Sequence, residues 1–452
     1  MLRIHTGIAL LFSLASSAGA QTTVIAIEHA RIIDGLGGPV IPDGTVLLRG
    51  KLIEAIGAAS TVNVPAGARV IDATGKTVMP GLADMHVHLA GGWDGEATDM
   101  LGYQRYLNAL LYAGVTTVLD TGNVQPYILQ IRQEIASGRL LGPRIYCAGA
   151  LIDGPDPFWP DISFSVSSAS QIPAMVQRQK SDGVDVMKAY MGLSVSVVNR
   201  LASEGKKLGL RVFIDQGQRN GSTDLMNAGI SAFAHLPTYE LVESAIDLAR
   251  TKQISFITTL SVYESFAGRR LQQMDFLKQP LIADTTPPWF LEELRAFAGR
   301  PDTKEAETRR AAWAEALRAA QTSAQKLRKA GVLLVAGTDA PYPGDFQGEG
   351  LHHELELLVE AGLTPLEAIA SATHNAAQLM NASAEWGTVE PGRLADLLVI
   401  RGRPDQNIQD THNVELVIKE GVVLDRQRLR FNAARDPGFR TSSPVSAVPQ
   451  KK

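Results

Sequence analysis

Apolar positions along this chain follow two rhythms. After residue 20, short runs rich in β-branched residues, "TTVIAIEHARIID", "GTVLLRGKLIEAIG" and "ARVIDATGKTVMPG", are separated by glycine and proline. That pattern predicts strands closed by turns. The far end returns to it with "WGTVEPGRLADLLVI", "VELVIKEG" and "VVLD". Two strand-rich flanks around a different middle predict one small β-sandwich domain assembled from both ends of the chain.

The middle has continuous rather than alternating apolar runs: "GLADMHVH", "GVTTVLD", "PRIYCAG", "GVDVMKAY", "LRVFID", "ISAFAH", "ISFITTL" and "VLLVAGTD". Continuous apolar strands are buried on both faces, as in a parallel sheet covered by helices. Helical patterns lie between several of them, the longest being "TKEAETRRAAWAEALRAAQTSAQKLRKAG". Eight such strands alternating with helices over about 300 residues predict an α/β chain with a (β/α)8 TIM barrel. The run "LTPLEAIASATHNAAQLM" opens with Thr364, Pro365 and Glu367, a capping-box arrangement. It predicts one helix closing the barrel after strand eight. Two connections, "IDGPDPFWPDISFS" and "SVYESFAGRRLQQMDFLKQPLIADTTPPWF", read as long loops, either lids or packing segments. The expected limits are residues 21–79 and 387–432 for the two parts of the β-sandwich, 80–386 for the barrel and 433–452 for a disordered tail.

A chain of 452 residues has room for a barrel and a second small domain. Its net charge of −4, with both signs interspersed, argues against a nucleic-acid partner. A small-molecule substrate is the expected partner, and a homo-oligomer is left open. Cys147 is the one cysteine, which excludes an intrachain disulfide and a thiolate metal cluster. Residues 1–20, "MLRIHTGIALLFSLASSAGA", combine Arg3, an apolar stretch and Ala18-Gly19-Ala20. They read as a secretory signal peptide cleaved before Gln21. The apolar stretch is short for a membrane span, no later segment has the length of one, and no cysteine follows for lipid attachment. The expectation is a secreted or periplasmic protein, free of the membrane after cleavage.

In a (β/α)8 barrel the chemistry sits at the C-terminal ends of the strands. Ionisable residues there are His86 and His88 on strand one, Lys188 on strand four, Asp215 on strand five, His235 on strand six and Asp339 on strand eight. Side chains two apart on a strand share a face, so His86 and His88 can offer imidazole nitrogens to one cation. Asp339 can add an oxygen ligand or accept a proton. Lys188 sits in an apolar run, where burial lowers an amine's pKa. A neutral amine takes up carbon dioxide to form a carbamate, an anionic ligand.

The motifs "MPGLADMHVH", "AGVTTVLDTG", "GPRIYCAG", "DVMKAY", "AFAH", "AGTDAP", "HHELELLVEAGLTPLEAI" and "GTVEPGRLADLLVI" occur in that order. With them the sequence resembles the amidohydrolase superfamily, in its imidazolonepropionase-like and prolidase-like (Xaa-Pro dipeptidase) branch, over nearly all of the chain after residue 20. The resemblance implies a metal-bearing barrel with a β-sandwich built from both termini. It implies His86 and His88 as ligands of the more buried metal and Lys188 as a carboxylated, bridging ligand. His235 would be the strand-six ligand of an outer metal, and Asp339 the strand-eight ligand and proton shuttle. The implied cofactor would be a divalent cation, zinc foremost with manganese as the alternative, in one or two copies.

One position departs from the family. Strand five ends in Asp215, or Gln216, where a metal-binding histidine is usual, and no histidine lies between His88 and His235. Three arrangements follow: Asp215 as an oxygen ligand of a second metal, a mononuclear site on His86, His88 and Asp339 with or without Lys188, or a barrel that has lost efficient turnover. The expected reaction is hydrolysis of an amide or other C–N bond by metal-activated water, with Asp339 as base then acid and His235 polarising the carbonyl. A dipeptide or an N-acyl amino acid is the first substrate class. A mononuclear cyclic-amide (imidazolone-type) hydrolase and a periplasmic binding protein are the alternatives. Tyr190, Tyr239 and His352 are candidate substrate contacts, and Arg269 or Arg270 could receive a substrate carboxylate. His353 falls on a helix surface, and His29, His374 and His412 read as structural.

Overall fold

The computed structural model describes residues 23–92, 99–217 and 220–435. The expected signal peptide and residues 436–452 of the expected tail lie outside the described residues.

Both ends of the chain meet in one eight-stranded mixed sheet. Its strands run in the order Val422–Val423, Val414–Lys419, Leu397–Arg401, Lys76–Pro80, Val24–Ile32, Ile41–Arg49 and Leu52–Ala58, and Arg69–Asp72 pairs with Val24–Ile32. Alternate residues from both ends, among them Ile25, Ile27, Val46, Ile53, Val78, Leu397, Val399 and Ile418, share one buried core. The sheet hands over to the central domain at Gly81, whose N–H donates to Asp396 O (2.8 Å). A Cβ there would lie 2.3 Å from Thr116 Oγ1, so only glycine permits this close crossing.

The central domain is TIM-barrel-like. Leu82–Val87, Val115–Asp120 and Arg144–Cys147 form one parallel sheet. Met187–Ala189, Val212–Ile214, Ala232–Phe233, Ser255–Ile257 and Leu334–Val335 follow in sequence order in a second. Backbone hydrogen bonds join the two sheets at both seams. Asp185 N–H donates to Cys147 O (2.9 Å); on the other side Met85 N–H donates to Ala336 O (3.1 Å) and Asp339 N–H to His86 O (2.7 Å). Between these strands, Ala83, Met85, Leu119, Phe213, Ala232, Ile257 and Val335 pack with Leu379 and Trp386. Burying a side chain as large as Phe213 contributes about 1.5–3 kcal/mol, so this plug holds the strands that carry the polar residues above it.

Three local readings change. The predicted helix after Thr364 keeps its capping box, with Thr364 N–H donating to Glu367 Oε2 (2.8 Å) and Glu367 N–H to Thr364 Oγ1 (3.3 Å). It breaks, however, into Pro365–Ser371 and His374–Leu379. The carbonyls of Ser371 and Ala372 leave the helix to accept from Ala336 N–H (3.0 Å) and Ala83 N–H (2.7 Å), tying the helix break to barrel strands eight and one. The "IDGPDPFWPDISFS" connection contains two short strands, Leu151–Asp153 and Ser163–Ser165, paired in parallel. The long connection after strand seven is largely helical, with Leu260–Ala267, Pro280–Ala283 and Pro288–Ala298. Its apolar residues Leu277, Ile282, Phe290 and Leu294 form a satellite core of their own. Among the described residues no helix is long and apolar enough to cross a membrane.

Candidate metal centre and active site

Strand one places its histidines through a register irregularity. Between Asp84 and Val87 it advances three residues against two, Val118 to Asp120, on strand two. The slip lets Met85 stay with the inner apolar plug while His86 and His88 both line the cavity above it. Such irregularities re-aim side chains beside functional sites. Strand eight approaches closely: a Cβ on Gly337 would lie 2.9 Å from His86 Cβ.

Each imidazole is oriented by a backbone carbonyl. His86 Nδ1 lies 2.8 Å from Ala234 O and His88 Nδ1 lies 2.8 Å from Gly122 O. A carbonyl only accepts, so both Nδ1 atoms carry the proton and both Nε2 atoms carry lone pairs. These Nε2 atoms face Asp339 Oδ1 at 3.2 Å and 3.0 Å. Lys188 Nζ, on a side chain almost wholly buried, reaches His86 Nε2 at 3.4 Å. Beside this group, His235 Nε2 lies 3.3 Å from Asp215 Oδ2, and His235 Nδ1 lies 2.8 Å from Thr259 Oγ1. The His86 and His235 ring centres are 4.4 Å apart.

Electrostatics follow from burial and these contacts. Burial, reinforced by the Lys188 charge, pushes His86 down to about 3, so its imidazole is neutral. His88 is raised despite burial, because the Asp339 carboxylate beside its Nε2 favours positive charge there, a proton or a cation in its place. Burial opposes ionisation of Asp339, yet His86 and His88 hold it well below the carboxylate range. Asp215 is likewise lowered, to about 2, against burial and by His235 and Lys188. Burial lowers the Lys188 amine, with Asp215 and Asp339 opposing.

His86, His88 and Asp339 form a group whose ligand atoms all lie within 4.8 Å of one another. Two lone pairs and a carboxylate oxygen pointed at one another repel unless positive charge sits between them. Zinc bonds of about 2.0–2.1 Å at tetrahedral angles separate ligand atoms by about 3.4 Å, close to the distances here. The residues therefore fit a divalent cation.

Behind the ligands lies a polar support that strand-end reading did not single out. Asp84 Oδ1 accepts from Thr338 N–H (3.0 Å) and His86 N–H (3.2 Å), and Asp84 Oδ2 accepts from Thr338 Oγ1 (2.8 Å). Burial raises Asp84 to about 7. Asp339 itself has φ +73°, a left-handed conformation uncommon for a non-glycine residue. Asp120 Oδ2 accepts from Leu89 N–H (2.9 Å) and Asn123 Nδ2 (2.8 Å), bracing the turn after His88. The signal for Asp84 was in the sequence, two residues before His86.

The sequence profile of the amidohydrolase family matches residues 77–204 and 296–424, together more than half of the chain. The chain belongs to the amidohydrolase family. As an amidohydrolase it is a hydrolase acting on C–N bonds. No curated protein is similar enough in sequence to count as a relative. Among solved structures, this amidohydrolase resembles a Xaa-Pro dipeptidase with methionine bound in its active site (TM-score 0.72, 23% identity, 89% of this chain and 100% of that one). It also resembles a molinate hydrolase (TM-score 0.69, 23% identity, covering 95% and 98%). A third is the ochratoxinase of A. niger (TM-score 0.69, 19% identity, covering 89% and 96%). At these identities the likeness speaks to the fold.

The amidohydrolase cavity, about 120 Å³, is lined by His86, His88, Lys188, Asp215, His235, Asp339 and Tyr190, and also by Asn123, Leu151, Trp159, Ile162 and Tyr342. Two expected substrate contacts lie elsewhere. Tyr239 is half exposed, and its hydroxyl is engaged by Gln216 Nε2 (2.7 Å) and Ser222 Oγ (2.7 Å). His352 is buried on the outer helix Glu349–Glu360, with Nε2 bonded to Ala113 O (2.7 Å). Neither arginine is free for a carboxylate. Arg270 forks onto buried Glu349 and donates to Gly344 O (2.7 Å), and Arg269 bridges Glu264 and Glu360. The helix carrying His352 and the 3-10 turn carrying Arg270 commit these side chains to other segments, which strand-end reading cannot see. Gln216 donates to Asn220 O (2.9 Å) and Tyr239, leaving Asp215 as the strand-five residue in the cavity.

Proposed function

We propose that this amidohydrolase is a metal-dependent enzyme that cleaves an amide, in a dipeptide or an N-acyl amino acid, using one cation held by His86, His88 and Asp339. The observation that carries the reading is the convergence of His86 Nε2 and His88 Nε2 on Asp339 Oδ1, with both imidazole protons committed to backbone carbonyls. When bound there, a divalent cation supplies Lewis-acid activation, taking the pKa of water from about 15.7 towards about 7. Two nitrogens and an oxygen suit zinc, and manganese is also accepted by such donors.

The chain's own residues do the rest. Ionised Asp339 accepts the proton of the attacking water and returns it to the leaving nitrogen. His235, with Nδ1 accepting from the Thr259 hydroxyl, carries its proton on Nε2. That N–H faces Asp215 Oδ2 at 3.3 Å at the cavity edge and would turn from it to polarise the substrate carbonyl. Lys188 adds positive charge where the tetrahedral oxygen develops negative charge.

The Asp215–His235 pair favours a second reading. A neutral Lys188 amine would add carbon dioxide and release a proton, and the resulting carbamate with Asp215 and His235 would hold a second cation. Metal analysis of the purified protein separates the two: one equivalent per chain supports the first, two the second. No bound metal, and no hydrolysis of N-acyl amino acids after adding zinc or manganese, overturns both. We further propose a closed (β/α)8 barrel over residues 80–386, on the seam hydrogen bonds between its sheets. Export to the periplasm or medium is proposed on the leader pattern of residues 1–20.

A further inference from the structure

We propose that Trp159 forms a subsite for a flat, apolar group, an aromatic acyl group foremost, beside the scissile C–N bond. The inference rests on the hydrolytic reading above and deepens it to a substrate class.

The indole is fixed and chemically spent on its polar side. Trp159 Nε1–H donates to the Tyr190 hydroxyl at 3.0 Å, and tryptophan has no other hydrogen-bonding atom. What the indole offers the cavity it lines is therefore apolar ring surface without a free donor. Phe158 packs against it, with ring centres 5.0 Å apart, and against Tyr190 at 6.4 Å. The Tyr190 ring in turn lies 5.9 Å from Lys188 Nζ. An aromatic wall thus runs from the rim to the edge of the candidate metal residues. Leu151, Ile162 and Pro341 line the same cavity and offer no side-chain hydrogen bond.

Size and charge narrow the occupant. An apolar cavity of about 150 Å³ takes one benzene; the whole cavity here, the candidate metal residues included, is about 120 Å³, so the Trp159 side has room for at most one ring, lying towards the rim. A cation would also be drawn to an indole face. The side chains beside the indole, Leu151, Ile162 and Pro341, give a cation nothing in place of its water, and Asp161 on the rim is exposed, where attraction between charges is weak. A neutral aromatic ring gains from Trp159, Leu151 and Ile162 together.

The test compares N-benzoylglycinamide with N-acetylglycinamide on the metal-loaded protein. The benzoyl compound should be favoured roughly tenfold or more in kcat/KM. Trp159→Ala should bring that ratio close to one, and Trp159→Phe should keep most of it. An unchanged ratio in Trp159→Ala, or one lost equally in Trp159→Phe, overturns the subsite. Calorimetric binding of the same two amides distinguishes failure of the subsite from failure of the hydrolytic reading. If neither amide is cleaved, the reading of this substrate class falls. A roughly tenfold tighter benzoyl binding that disappears in Trp159→Ala would still support the subsite, and equal binding would overturn it. Tighter binding of tetramethylammonium than of either amide would also overturn it.

Discussion

Asp215 Oδ2 lies 3.3 Å from His235 Nε2, so the strand-five carboxylate stands against the strand-six imidazole at the edge of the cavity. In the single-cation reading Asp215 orients His235 and is not itself a ligand. Asp215→Ala should then leave metal content at the wild-type value and lower kcat about 10–100-fold, the usual cost of removing an orienting partner. Elemental analysis beside steady-state kinetics checks this. Loss of one metal equivalent in the variant would instead place Asp215 in a ligand set.

Thr259 should matter to activity more than to stability. Its hydroxyl bonds His235 Nδ1 at 2.8 Å, and its backbone has φ +47°, where a β-branched residue is strained. Thr259→Ala removes the hydroxyl and eases the strain. Activity should fall about 10–100-fold, while the urea midpoint stays close to wild type. A large loss of stability with unchanged kcat would contradict this.

Arg270 is expected to act in folding. Its guanidinium grips Glu349, whose side chain is fully buried. Arg270→Met leaves that carboxylate unpaired, a defect worth about 3–5 kcal/mol, read by urea denaturation. KM of the folded fraction should be unchanged. The double variant Arg270→Met with Glu349→Gln should recover part of the loss. A raised KM with intact stability would return Arg270 to substrate binding.

His352 makes stability depend on pH in a known direction. Burial, then the neighbouring His412, lowers it to about 3 in the folded protein, against about 6.5 unfolded. The unfolded chain therefore binds the extra proton between these values. Stability from this group is fully present above about pH 6.5 and is lost as pH falls towards 3, at about 1.4 kcal/mol per unit. Comparing wild type with His352→Gln cancels the other titrating groups. The wild-type advantage should shrink by about 2 kcal/mol between pH 7.5 and pH 5, measured by urea unfolding. An advantage independent of pH would show that His352 is protonated in the fold.

Much of the architecture was legible in the chain. Continuous β-branched runs can only be buried on both faces, and two alternating flanks need one another to cover an apolar side, so barrel-like centre and shared β domain follow from local pattern. The placement of His86, His88, Lys188, Asp215, His235 and Asp339 at strand ends likewise follows from strand periodicity. Contacts that depend on distant segments were not legible. The slip at Asp84–Val87 needs strand two beside it, and the helix break at Ala372 needs the amides of Ala83 and Ala336. The commitment of Arg270 to Glu349, and of Tyr239 to Gln216, joins residues that nothing in the sequence pairs. Trp159, in a stretch that reads as loop, becomes a cavity wall because Tyr190 takes its N–H. Local sequence sets which groups are apolar and which are ionisable; packing between distant segments sets which polar groups are already satisfied and which are left facing the cavity.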